Sequence, residues 1–147
     1  MKIVSKTGAY GVLACLYLDK YGPVSGYISV REIGRRLQIP YSYLSKIIQL
    51  LSSKGVVKTK RGSGGGIALD GASSQILVKS IIEAVEGPII VPDSFIEQEE
   101  HTGSLQFMIT IDEWTSLKEQ IENMFNTLTL DRLSSITQVS LTKCNKD

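Results

Sequence analysis

Between two β-prone segments the chain reads Arg61-Gly62-Ser63-Gly64-Gly65-Gly66, and four glycines in six residues rule out a helix there. Val56-Val57-Lys58-Thr59-Lys60 precedes this stretch and Ile67-Ala68-Leu69 follows it, so a hairpin with a glycine-rich tip is predicted. What stands in front of the hairpin decides its use. Ser29-Val30-Arg31-Glu32 is a capping-box pattern, in which the serine oxygen accepts a backbone N–H three residues on. Val30, Ile33 and Leu37 then share one face of a helix. Gln38-Ile39-Pro40 interrupts that helix, because the residue before a proline is biased away from helical angles. Pro40 itself suits a helix start. Leu44, Ile47, Ile48 and Leu51 carry the next helix to Lys54-Gly55, a basic last turn followed by glycine. Two short helices across a tight turn form a helix-turn-helix, and the hairpin behind them is its wing.

A first amphipathic helix over about residues 7–20 is predicted from Tyr10, Leu13, Ala14, Tyr17 and Leu18, with Gly22-Pro23 ending it. Val24 to Ile28 suits a short strand. Behind the wing, Val78, Ile81, Ile82 and Val85 mark a fourth helix that stops at Gly87-Pro88. Residues of about 88–110 show no clean periodicity and include the acidic run Glu97-Gln98-Glu99-Glu100. A stretch of that length inside a compact protein is either functional or disordered. From Asp112, the residues Trp114, Leu117, Ile121, Met124 and Leu128 are spaced three, four, three and four apart. That heptad seam buries best against another helix. Leu130 to Ile136 reads as a short further helix, followed by a polar tail. The expected fold is mainly α with a small β-hairpin wing. Its expected parts are a winged helix-turn-helix in 1–87, a connecting or sensing loop in 88–110, a dimerisation helix and short helix in 111–136, and a tail in 137–147.

The net charge of +1 is uninformative, but its distribution is not. Residues 1–70 carry eleven Lys or Arg against three acids, and residues 71–147 carry five against twelve. A basic front half suits a polyanion and an acidic rear half does not. No apolar run approaches the roughly 18 residues of a membrane span, and the first residues lack a secretory signal pattern, so a cytoplasmic protein is expected. The two cysteines, Cys15 and Cys144, lie far apart and lack the spacing of a disulfide framework or a zinc site.

On the third helix, Tyr41, Ser42, Tyr43, Ser45, Lys46 and Gln49 lie off the core face and are candidates to read DNA in the major groove. Tyr43 has the alternative of packing against its neighbours. Arg61 at the wing tip suits the adjacent minor groove, while Lys58 and Lys60, two apart on a strand, share a face toward the phosphates. Ser63, Gly64 and Gly65 bring backbone N–H groups near the same phosphates. Lys2 and Ser29 complete the candidate set. The glycine loop is not a nucleotide site, since it follows no parallel-sheet pattern and lacks the Gly-Lys-Ser/Thr ending. His101 among acids is a weak metal candidate and more simply a solvated loop residue. No catalytic arrangement stands out, and no enzyme is expected.

The residues that carry chemistry also carry a resemblance. Met1-Lys2-Ile3-Val4-Ser5-Lys6-Thr7-Gly8-Ala9-Tyr10-Gly11 resembles the start of the Rrf-type winged helix-turn-helix transcription regulators, a group with iron–sulfur, nitric-oxide and cysteine-metabolism regulators. The likeness continues through Ile33, Ile39-Pro40-Tyr41-Ser42-Tyr43-Leu44, Leu50-Leu51, Gly55-Val56-Val57 and the wing. It extends to Ile81-Ile82-Glu83-Ala84-Val85-Glu86-Gly87, Trp114 and Thr129-Leu130. The resemblance implies a homodimer, held by the heptad helix, that represses or activates promoters with dyad-symmetric sites. Cluster-binding members carry about three cysteines before the dimer helix, and residues 88–110 here contain none. No iron–sulfur cluster and no other cofactor is therefore expected. Ser45 stands where some members have a glutamate. The leading expectation is a DNA-binding regulator, most simply a repressor, with a small-molecule effector or partner at loop 88–110. Two alternatives are a thiol redox sensor using Cys15 or Cys144, and a winged-helix adaptor for protein contacts.

Overall fold

The computed structural model describes residues 3–93 and 112–137. The first helix, α1 (Lys6–Ser25), starts at Ser5, whose hydroxyl oxygen accepts the Gly8 N–H at 3.2 Å. It does not stop at Gly22-Pro23 as the sequence suggests. It continues for one more turn, and Gly26 (φ +68°) closes it by donating to the Gly22 carbonyl at 2.6 Å. A proline so near a C-terminus removes one donor from a turn that is ending anyway. The short strand expected over Val24 to Ile28 reduces to one antiparallel bridge, in which Ile28 exchanges hydrogen bonds with Ile67 at 2.9 and 2.8 Å.

Next come α2 (Val30–Leu37) and α3 (Tyr41–Ser53). Ser29 caps α2 by accepting the Glu32 N–H at 3.2 Å. The turn between the helices closes through Gln38 at left-handed angles and the Ile39 N–H donating to the Gly34 carbonyl at 2.9 Å. Gly34 is required there, because a Cβ would stand 2.9 Å from the Ile39 carbonyl oxygen. The wing is an antiparallel pair, β1 (Val57–Lys60) and β2 (Gly66–Leu69), with Val57 opposite Leu69 and Lys60 opposite Gly66. A short 3-10 turn (Ser73–Gln75) leads to α4 (Val78–Glu86), which ends at Gly87 (φ +86°). After residue 111 come α5 (Asp112–Thr127) and α6 (Leu130–Ile136).

Two apolar clusters hold these elements together. The larger joins Leu18, Ile33, Leu44, Ile47, Leu51, Ile67, Ile81 and Leu130, so α1, both helices of the helix-turn-helix, the wing root, α4 and α6 share one interior. The smaller sits between α4 and α5, on Val78, Ile82 and Phe125. Fully burying each such side chain is worth roughly 1.5–3 kcal/mol relative to exposure, and α3 contributes four buried residues from one face. Its opposite face is thereby left to solvent on a rigid support. A backbone bridge between Leu77 and Thr129 ties the rear helices to the front, with Val78 N–H on the Leu128 carbonyl and Leu130 N–H on the Ile76 carbonyl at 2.9 and 2.8 Å.

Candidate nucleic-acid interface

The exposed row of α3 consists of Tyr41, Ser42, Lys46 and Gln49, with Ser45 half-buried beside them. Pro40 starts the helix without a side-chain cap, and the first turn holds no acid. The amide dipoles at that end stay uncompensated, which favours an anion nearby. Tyr43 behaves differently. It is half-buried, its hydroxyl hydrogen-bonds the Thr7 hydroxyl of α1, and Tyr10 packs edge-on against its ring with centroids 5.8 Å apart. It faces the protein's interior, the packing alternative of the sequence reading.

In the wing, Lys58, Thr59 and Lys60 are all exposed behind the buried Val57. Arg61, Gly62, Ser63 and Gly64 form an exposed tip, closed by the Gly65 N–H donating to the Gly62 carbonyl at 3.0 Å. Gly65 sits against the strand end, where a Cβ would come within 2.3 Å of the Lys60 carbonyl oxygen. Its role is to make the turn, and the exposed groups of the tip are Arg61, Ser63 and Gly64. Ser29 spends its hydroxyl oxygen on capping α2. Lys2 lies outside the described residues.

Three residues that the sequence reading missed, Tyr27, Arg31 and Arg35, connect these parts. The Lys60 ammonium lies 5.7 Å from the ring centroid of Tyr27, just ahead of α2. The Arg31 guanidinium of α2 lies 4.7 Å over the ring of Tyr41, the first residue of α3. Tyr41 is half-exposed at 50%. Arg35, one turn after Arg31, lines the same shallow hollow between α2 and α3 with Gln38, Pro40 and Tyr41. One cation–aromatic pair thus links the wing to the residues ahead of α2, and a second links α2 to the start of α3. Spacing along one helix cannot reveal pairs that form between elements, although Arg31, Arg35 and Arg36 were visible as a local basic cluster.

The α5 seam is divided. Trp114 is only 7% exposed, and its indole N–H donates to the Pro92 carbonyl of the same chain at 3.2 Å. Ile121 and Leu128 pack on the small cluster with Phe125. Leu117 and Met124 point outward, 47% and 46% exposed. Lys118 pairs with Asp93, which holds that carboxyl below its usual range and raises the lysine above its own.

Cys15 is fully enclosed in the main core, and burial pushes its thiol up to about 12. A thiol that is neither ionised nor accessible is a poor redox sensor. Cys144 and the acidic run with His101 lie outside the described residues.

A basic winged helix-turn-helix with a polar recognition face defines a DNA-binding regulator. The chain matches the Rrf2 family, described as iron-dependent transcriptional regulators, over residues 4–135. It belongs to that family. It is 30% identical to the HTH-type transcriptional regulator CymR of Bacillus subtilis over 93% of this chain and 92% of that protein. The same identity, 30%, holds to the HTH-type transcriptional regulator IscR of Pectobacterium carotovorum, over 95% of this chain and 82% of that one. Among solved structures, that of CymR, the global cysteine regulator of B. subtilis, superposes with a TM-score of 0.74. Identity there is 27%, covering 94% of this chain and 100% of the other. The winged-helix fold and the role in transcription regulation are thus established together.

The iron in the family description does not fit an iron–sulfur cluster in this member. Such clusters are held chiefly by cysteine thiolates. This chain has two cysteines, one of them sealed in the core, and residues 88–110 supply none. Among the described residues no three His, Cys, Asp or Glu side chains group as metal ligands.

Proposed function

We propose that the protein is a cytoplasmic homodimeric repressor that reads dyad-symmetric promoter sites without an iron–sulfur cluster. The observation that carries this reading is the two cation–aromatic pairs, Lys60 on Tyr27 at the wing and Arg31 on Tyr41 at the start of the recognition helix. Exposed cations held in place by rings form a stable footprint for phosphates, and phosphate contacts set the register of the base-reading helix. In this reading residues 1–87 are the DNA-binding unit. Ser42, Ser45, Lys46 and Gln49 meet base edges in the major groove. Lys58, Lys60, Arg31 and Arg35 follow the backbone, and Arg61 enters the flanking minor groove. Residues 111–136 assemble the dimer through the outward side of α5, Leu117 and Met124 with the edge of Ile121. Two-fold symmetry then places the two recognition helices about 34 Å apart, or a multiple of it. A small-molecule effector acting at residues 88–110 completes the proposal, and most of that stretch lies outside the described residues.

The test is selection of genomic fragments, the protein's own promoter region included, at two salt concentrations, followed by sequencing. The expected result is a dyad-symmetric motif whose affinity falls steeply with salt, with Lys58→Ala, which removes one phosphate contact from each subunit, reducing the log–log slope by about 2. A motif without symmetry overturns the dimer, and no enrichment at either salt overturns direct DNA reading by the effector-free protein.

A further inference from the structure

Glu86 is the last residue of α4, yet its carboxylate belongs to the start of α1. Its two oxygens accept the Ser5 backbone N–H at 3.1 and 3.2 Å, and the Ser5 hydroxyl donates to it as well. Negative charge is unfavourable at the C-terminus of its own helix and favourable at the N-terminus of another. Its position is therefore governed by α1. A glycine at position 8 makes room for it, because a Cβ there would stand 2.8 Å from the carboxylate oxygen.

Two residues past Ser5, the Thr7 hydroxyl meets that of Tyr43 on α3. Tyr10 supports the same ring edge-on, and the Lys6 ammonium lies 5.5 Å from the Tyr10 ring centroid. Tyr43 lies in the first turn of the recognition helix. Tyr41 and Ser42 before it are exposed and the helix start has no side-chain cap, whereas Leu44, Ile47, Ile48 and Leu51 anchor α3 from the end of that turn onward. The contact with Thr7 therefore holds the end of the helix whose residues are nearest the bases. Hydrogen bonds to base edges tolerate only a few tenths of an ångström, so the pose of this turn matters.

We propose that Glu86 is a positioning residue for DNA recognition, which clasps the first turn of α1 and, through Thr7 and Tyr43, sets the first turn of α3. This deepens the proposed function and rests on its assignment of α3 as the reading helix. Glu86 immediately precedes Gly87, where the chain leaves α4 at φ +86°.

The test uses the full-length protein and a duplex carrying the motif that the wild type selects. Glu86→Ala and Tyr43→Phe each weaken binding by about tenfold, within the range seen for couplings through intermediate residues. Glu86→Gln, which keeps an acceptor for the Ser5 N–H, recovers most of the loss. The double variant Glu86→Ala/Tyr43→Phe binds no more weakly than the weaker single, because both act along one path. The salt slope is unchanged, since neither group touches a phosphate. Additive losses, or wild-type affinity in Glu86→Ala, overturn the proposal. A second readout needs no DNA. The Tyr43 and Leu44 amides, which donate to the Pro40 carbonyl at 3.1 and 2.9 Å, exchange hydrogen about tenfold faster in Glu86→Ala, while later α3 amides keep their rates. Faster exchange confined to α1 overturns the relay whether or not a duplex is selected. Failure to select any duplex, by contrast, counts against the reading helix itself.

Discussion

Cys15 shows what a single enclosed side chain does to the molecule's pH response. Burial raises its thiol from 9.0 to about 12, because a thiolate there would be stranded without solvent. The folded state keeps its proton at a pH where the unfolded chain has lost it. The stability this brings is therefore complete below about pH 9 and declines as pH rises from there toward 12. The slope reaches at most about 1.4 kcal/mol per pH unit. Tyr17, raised first by burial and then by nearby Glu32, pushes in the same direction. Comparing Cys15→Ala with the wild type isolates the thiol: in urea unfolding at pH 8 and pH 10, the wild type loses more stability than the variant. Equal losses would show that Cys15 does not titrate with folding. At this scale the sequence was a partial guide. It placed Cys15 on an apolar helical face, but the direction of Tyr43 depends on Thr7 and Tyr10, which lie more than 30 residues away.

Among the elements, those defined by their own residues were legible. The hairpin followed from its glycines, α2 from Ser29, and the break before α3 from Pro40. Elements whose ends depend on neighbours were less so. α1 passes Gly22-Pro23, and the α5 heptad divides between two surroundings that one helix's periodicity cannot tell apart. The wing root shows how tightly such junctions are built. Gly66 has φ +146°, and a Cβ on it would lie 2.2 Å from the Ile28 carbonyl oxygen. Gly64, at φ +70°, has open space around it. Gly66→Ala therefore combines backbone strain with a collision at the bridge to Ile28. It should cost roughly 3 kcal/mol or more, against roughly 1 kcal/mol for Gly64→Ala. Chemical denaturation of both variants checks the ranking, and similar losses would mean that the bridge yields without cost.

Across the whole molecule, a front half with eleven cations against three acids meets a rear half with five against twelve. The charge balance was readable from the sequence, whereas the cation–aromatic pairs required the three-dimensional placement of Tyr27, Arg31 and Tyr41. Assembly is testable on the same scale. Leu117→Asp/Met124→Asp places two charges on the outward side of α5, where the side chains are already half-exposed in the single chain, so each chain still folds. Losing two half-exposed apolar anchors from each subunit, four per dimer, removes roughly 3 kcal/mol of association, more than a hundredfold. Sedimentation at micromolar concentration should find monomers, and binding to a dyad-symmetric duplex should fall with it. A dimer that persists would place the interface elsewhere.

The division of α5 bears on how such regulators diversify. Trp114, Ile121 and Leu128 answer to the chain's own fold, while Leu117 and Met124 answer to whatever lies outside it. Substitutions at the second pair leave the interior of the single chain intact. In the proposed dimer, changes at this second pair alter only which copies can pair, so related regulators kept apart there would each hold their own set of promoters.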